Sequence, residues 1–285
     1  MQDRYTSKLI MRTLLSISKN PYSSSTINIG NIVSSALCSE VTLFTVNTEQ
    51  SSEHSSLDEL RLASEQMSMP TNFIVRQGNP ELEILSELKA GIYNLLVIGA
   101  RAHSTAPAEL LLGDTTNRIV RRTPISVLVA RGTINNLNKL LVCTSGPKAG
   151  FDAIRTGIKV SKHSDAKITL LHVSRAVPSM YTGLDQMGET LSDLLQTNTP
   201  TAQHLRDCAS LLESEQIDAE IELRHGTPTQ EILRDIERNK YDLLIIGAAK
   251  RNSINRVLID DVSIQLASKA PLPVLVVRNT IQIHT

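Results

Sequence analysis

Tryptophan is missing from this 285-residue chain, and only 3% of its residues are aromatic. Hydrophobic residues still make up 41%, so any core must be packed from Leu, Ile, Val and Ala. An excess of one charge is also missing: Lys+Arg and Asp+Glu both number 29. No net field therefore draws nucleic acid or an anionic membrane, and neither is expected as a partner. The three cysteines, Cys38, Cys143 and Cys208, stand far apart, without CxxC or Cys/His ligand spacing. That excludes a zinc ribbon and a disulfide framework, and no metal site is expected. No run of about 18 apolar residues is present to span a bilayer. The stretch from Met1 to Lys8 has no apolar segment of the secretory kind. The expected compartment is the reduced cytoplasm. GxSxG, HExxH and Walker A sequences do not occur, and with them go the commonest hydrolytic and phosphate-loop chemistries.

What the chain does have is an internal repeat. Residues 75–100, VRQGNPELEILSELKAGIYNLLVIGA, align without a gap on residues 223–248, LRHGTPTQEILRDIERNKYDLLIIGA, with 12 of 26 positions identical. Chance gives about two at average residue frequencies. Upstream, VTLFTV (41–46) matches ITLLHV (168–173); downstream, TPISVLVAR (123–131) matches APLPVLVVR (270–278). The offset grows from 127 to 148 between these matches, so the second copy carries 21 extra residues after its second strand. A length of 285 residues fits two domains of about 100–200 residues each. We divide the chain into residues 1–133 and 134–285, with an inserted segment at about 175–200.

Each copy alternates short, unbroken apolar runs with helical patterns. Val41–Val46, Asn94–Ile98 and Val127–Ala130 read as strands buried on both faces, as parallel strands are. Ile84, Leu85 and Leu88, and their partners Ile232, Leu233 and Ile236, follow helical spacing. Gly78-x-Pro80 and Gly226-x-Pro228 each place a turn after a strand and a proline at the start of a helix. The fold class is α/β, with a parallel sheet covered on both sides. Such sheets bind ligands beyond the carboxyl ends of their strands, where the strand order switches direction.

YDLLIIGA (241–248), the G-x-P turn ahead of its helix and the closing PVLVVR (273–278) together resemble the universal stress protein family. The resemblance covers both copies and implies two tandem Rossmann-like domains. Each is a five-stranded parallel sheet of order 3-2-1-4-5 with helices on both faces. It also implies that the last strands, SVLVA (126–130) and PVLVV (273–277), pair with each other as an internal pseudo-dimer; a further homodimer is compatible with that. In nucleotide-binding members an Asp ends strand one near the ribose, and a Val ends strand two by the adenine. A G-x2-G-x9-G-[ST] loop then wraps the phosphates. Glycines admit backbone N–H groups to phosphate oxygens, and a helix N-terminus adds a favourable dipole.

Carried onto the first copy, the pattern puts Ser18 in place of the Asp and keeps the Val as Val46. The loop keeps Gly99 and Gly113 but has Ala102 in the middle, one more spacer residue, and Asp114 where Ser or Thr is expected. Thr115 and Thr116 remain as hydroxyl donors, and Arg101 and His103 as ligand-facing groups. The implied cofactor is ATP or AMP, with Mg as the cation that would offset Asp114. In the second copy Ser145 replaces the Asp and Val173 is kept, but only Gly247 survives of the loop glycines. Lys250, Asp260 and Asp261 take the other places. A carboxylate about 5 Å from a phosphate repels it by about 3 kcal/mol at an effective dielectric near 20. No ordinary ATP site is expected there. Asp114 and Asp261 directly precede helical patterns, so both are also expected as N-caps.

Other features are weaker. Ser145-Gly146-Pro147 is faintly similar to the pyrophosphate loops of adenylating enzymes. His172 and His225 have no matched catalytic partner and are expected to be structural. In the insertion, Leu184, Met187, Leu191, Leu194 and Leu195 fall on one helical face, expected to cover the domain's own surface. The sequence leads to a non-enzymatic stress-response module with weak nucleotide binding in its first domain and a degenerate second domain. The alternative is a ligand-independent interaction protein that keeps only the fold.

Overall fold

The structure, a computed structural model, describes residues 11–18, 23–48, 53–89, 92–100, 112–144, 146–174, 190–248 and 256–278. The first half runs β1 (Met11–Ile17), α1 (Ser23–Ala36), β2 (Ser39–Asn47), α2 (Glu53–Ser64), β3 (Thr71–Gln77), α3 (Pro80–Lys89), β4 (Leu95–Gly99), α4 (Asp114–Arg122) and β5 (Ser126–Ala130). The second runs β6 (Lys139–Thr144), α5 (Pro147–Ser164), β7 (Lys167–Ser174), α6 (Leu191–Gln196), α7 (Pro200–Ser214), β8 (Ala219–His225), α8 (Pro228–Arg238), β9 (Leu243–Gly247), α9 (Arg256–Lys269) and β10 (Val274–Val277).

All ten strands join one sheet, in the order β3-β2-β1-β4-β5-β10-β9-β6-β7-β8. Each half is thus a parallel 3-2-1-4-5 sheet, as the resemblance implies. Its central strands are buried on both faces: every residue from Leu95 to Ile98 in β4 and from Leu243 to Ile246 in β9 is at most 7% exposed. That double burial is why they read as unbroken apolar runs. The G-x-P turns have an equally direct cause. Gly78 and Gly226 hold φ of 140° and 146°, which side chains rarely adopt. Their N–H groups donate to the carbonyls of Asn47 and Ser174, at 2.9 Å in both halves.

The halves meet at β5 and β10, which pair antiparallel with Val129 opposite Val274 and Val127 opposite Val276. Packing is continuous across this seam. One core lies between the sheet and α1, α2, α5 and α7, the other between the sheet and α3, α4, α8 and α9, and each draws residues from both halves. Two arginines are exchanged across it. Arg131, after β5, donates to the carbonyls of Ser268 and Ala270 at 2.6 and 3.0 Å, closing the C-terminus of α9. Arg278, after β10, donates to the Val120 carbonyl near the end of α4 at 3.0 Å. A guanidinium suits the negative end of a helix dipole.

The described part of the insertion is α6, started by a capping box between Thr190 and Asp193. Leu194 is buried against Ala202 and Leu205 of α7. This stretch covers its own domain; Leu184 and Met187 lie outside the described residues.

Candidate functional site

The carboxyl ends of β1, β2 and β4 lie side by side where the strand order switches. Ile17 is in register with Thr45, and Ser16 with Ile98. Ser18, half-buried, follows β1 directly, next to the half-buried Val46 of β2. The floor beside them is polar and closed. Thr45 Oγ1 donates to the Ile17 carbonyl at 3.1 Å, and Ser56 Oγ of α2 donates to Asn47 Oδ1 at 2.7 Å.

α4 brings the other candidates to this place. Thr116 Oγ1 donates to the Gly99 carbonyl at 3.2 Å, tying the helix's first turn to the end of β4. Its hydroxyl proton is thereby committed within the protein, whereas Thr115 is half-buried. Gly113 is the N-cap residue, with no side-chain cap on the amides behind it. The capping expected of Asp114 is not found: Asp114 is the first helical residue, exposed, one position past the cap. α4 is also braced from the side. Buried Glu81 of α3 receives Arg118 at 2.5 Å and Arg122 at 2.7 Å, and these hold its carboxyl below the usual range. Arg101, Ala102 and His103 lie outside the described residues.

The corresponding place in the second half is filled by the protein itself. Ser145 and Lys250 lie outside the described residues, but the strand ends are clear. His172, where β2 has Thr45, places Nδ1 3.2 Å from the Thr144 carbonyl. His204 of α7, where α2 has Ser56, places Nε2 2.5 Å from Thr144 Oγ1 and is 2% exposed. Phe151 meets its ring edge-on at 5.0 Å, and Cys208 Sγ lies 3.6 Å from Nε2. Burial lowers the pKa of both histidines, and proximity to His172 lowers that of His204 further. Burial also pushes the Cys208 thiol up to about 12. A neutral thiol beside a neutral imidazole is the reverse of an activated pair. The expectation that His172 is structural agrees with its carbonyl contact, but His204 was not singled out from the sequence. Its register with Ser56, 148 residues away, was the available signal.

The strand-end glycines differ as well. A Cβ on Gly99 would meet only a side chain, Thr26 Oγ1 at 2.7 Å. One on Gly247 would sit 1.9 Å from the main-chain oxygen of Ala149 in the first turn of α5. Asp261 is not an N-cap either: it lies five residues inside α9, which begins at Arg256. Gly113 ends the first half's helix at Asp114, whereas Asp260 in the matching place is compatible with helix, so α9 extends 14 residues against 9 in α4.

Among the described residues no group of three or more His, Cys, Asp or Glu is placed to hold a metal, and no helix is long and apolar enough to cross a membrane. A sequence model of the universal stress protein family matches this chain twice, over residues 36–131 and 136–278. A universal stress protein of Methanocaldococcus jannaschii is 27% identical over 152 residues, 53% of this chain and 87% of that one. Another, from Synechocystis sp., is 26% identical over 198 residues, 69% of this chain and 62% of that protein. The solved structure of a universal stress protein from Archaeoglobus fulgidus has the same fold, with a TM-score of 0.71, 17% identity and coverage of 94% of this chain and 98% of that one. With the family matched once in each half of a single sheet, the chain belongs to the universal stress protein family as a tandem member.

Proposed function

We propose that this chain is a non-enzymatic, cytoplasmic stress-response module of two units, residues 1–133 and 134–285. The first holds an adenine nucleotide weakly, and the second keeps the fold without the site. One observation carries the reading: the same place is built in opposite ways in the two halves. In the first, Gly99 and the Gly113 cap bring a helix N-terminus without a side-chain cap to the strand ends. In the second, His204 and the backbone of α5 occupy the strand ends. Affinity is limited by Ser18, which forgoes the charged acceptor a ribose would use. A charged hydrogen bond is worth about 1.5–3 kcal/mol, roughly ten- to a hundredfold in affinity. Asp114 adds repulsion unless Arg101 or Mg offsets it.

Cys208 and His204 are 0% and 2% exposed, so this pair is closed to a substrate, which supports the non-enzymatic reading. The test is calorimetric titration of the full chain with ATP and AMP, with and without Mg. Asp114→Ser should tighten binding, and Gly113→Val should abolish it by blocking backbone approach. Equal binding by Gly113→Val and the parent would refute the site. Absence of binding to the parent would favour the ligand-independent interaction protein. Turnover above about 1 s⁻¹ that a loop variant abolishes would refute the non-enzymatic reading.

A further inference from the structure

The sheet ends in β3 on one side and β8 on the other, and each of these edge strands pairs with one neighbour, β2 or β7. An edge strand leaves a row of backbone N–H and C=O groups without ladder partners, and proteins block such edges with charges or with a covering helix. β8 carries both protections. Glu220 and Glu222 lie along it, and its Leu223 packs with Leu194, Ala202 and Leu205 of α6 and α7, beside the insertion. β3 carries neither. Asn72 and Ile74 stand where β8 has Glu220 and Glu222, at the 148-residue offset, and the first half has no insertion to supply a helix. The charge of Arg76 is taken up within the chain by Glu87, at 2.9 Å. Phe73 of β3 is 38% exposed, and Leu62 of neighbouring α2 is 62% exposed where the second half has Ser210.

We propose that β3 is the contact surface for a second copy of this chain, pairing antiparallel with the same strand across a twofold axis and joining the two sheets into one. The chain already makes such a joint internally, where β5 and β10 meet antiparallel with Leu128 opposite Leu275. β3 complements itself. With Ile74, the central residue of Thr71–Gln77, opposite its own copy, Phe73 faces Val75, Asn72 faces Arg76, and no like charges meet. β8 in the same register sets Glu222 against Glu222, and a head-to-tail contact of β3 with β8 sets Ile74 against Glu222. The twofold contact also closes on two copies, whereas head-to-tail pairing closes only as a ring or grows into filaments. Lys+Arg and Asp+Glu, 29 of each, leave no net repulsion between copies. A single strand pair is smaller than a standard stable interface, so association belongs on the order of tens of micromolar.

Sedimentation equilibrium of the full chain at about 5–300 µM should show dimers forming as concentration rises. Hydrogen exchange at the two ends of that range should show protection gained in residues 71–77 and not in 219–225. Ile74→Glu and Ile74→Lys should each weaken association about tenfold, because like charges then meet at the twofold axis. The fold accommodates an acid there, since β8 carries Glu222 in the matching place. Mixed in equal amounts, the two variants should recover the parent's dimer, which a misfolded strand could not do. A parent that stays monomeric at about 300 µM would overturn the proposal. Protection gained in β8 instead, a dimer that Ile74→Glu leaves intact, or a mixture that associates no better than its components would overturn it as well.

Discussion

The two halves use one scaffold to opposite ends at the same address. At the ends of its first two strands the first half has Ile17, Thr45 and Ser56, small polar groups on an aliphatic neighbour. The second has Thr144, His172 and His204, a ring-filled cluster closed by Phe151. Elsewhere the halves keep matching contacts. In both, an arginine and a tyrosine meet one acid: Arg76 and Tyr93 on Glu87, Arg224 and Tyr241 on Asp235. The lesson is that duplication kept what holds β3 and β8 to the next helix, while the ends of the strands were free to diverge.

The most drastic way to break the comparison is to part the halves. Residues 1–133 alone would expose β5, in which Val127, Leu128 and Val129 are at most 1% exposed in the intact chain. Burying such a side chain is worth about 1.5–3 kcal/mol, and a bare apolar edge invites pairing. Sedimentation should find dimers or aggregates; a well-behaved monomer would contradict the continuous-core description.

A sharper comparison sets Gly247→Ala against Gly99→Ala. The first drives a methyl into the α5 backbone, and the second meets only the Thr26 side chain. Destabilisation of about 3 kcal/mol is expected for Gly247→Ala and about 1 kcal/mol for Gly99→Ala, read by urea unfolding. Equal losses would mean that the two strand ends are not packed differently.

The smallest effect concerns pH. Folded His172 and His204 titrate below their ordinary value of 6.5. As pH falls past 6.5 the unfolded chain takes up protons first, so stability is full above that value and lost toward the lowered folded pKa values. His225 faces His172 and adds to the effect, while Asp207 on α7 partly opposes it at His204. The melting temperature should fall between pH 7.5 and 5.5. The double variant His172→Thr, His204→Ser, which installs the first half's residues, should show a flatter profile. An unchanged slope would remove the histidines as its source.

The repeat made the duplication legible, because Gly78 and Gly226, and Tyr93 and Tyr241, are fixed by local demands that each half must meet alone; the sheet order and the β5–β10 pairing were implied by the family resemblance. The helix starts were not legible: neither aspartate caps its helix, since Gly113 takes the cap place before Asp114 and α9 already begins at Arg256, ahead of Asp261. His204 escaped for a different reason. Its partner Thr144 is 60 residues away, across an insertion that the first half lacks. Of the first-half candidates, the structure joins Gly99 to Thr116 and sets Ser18 beside Val46. Thr116 carries a proton bond that spacing alone could not reveal.

The exchanged arginines have a consequence for how such a chain changes over generations. Arg278 closes a helix of the first half, and Arg131 closes one of the second. The second half is therefore not a passenger, whatever becomes of its strand ends. Erosion of its last strand would loosen α4, the helix whose first turn is tied to the end of β4. Selection on the fold of either half thus maintains the last strand of the other.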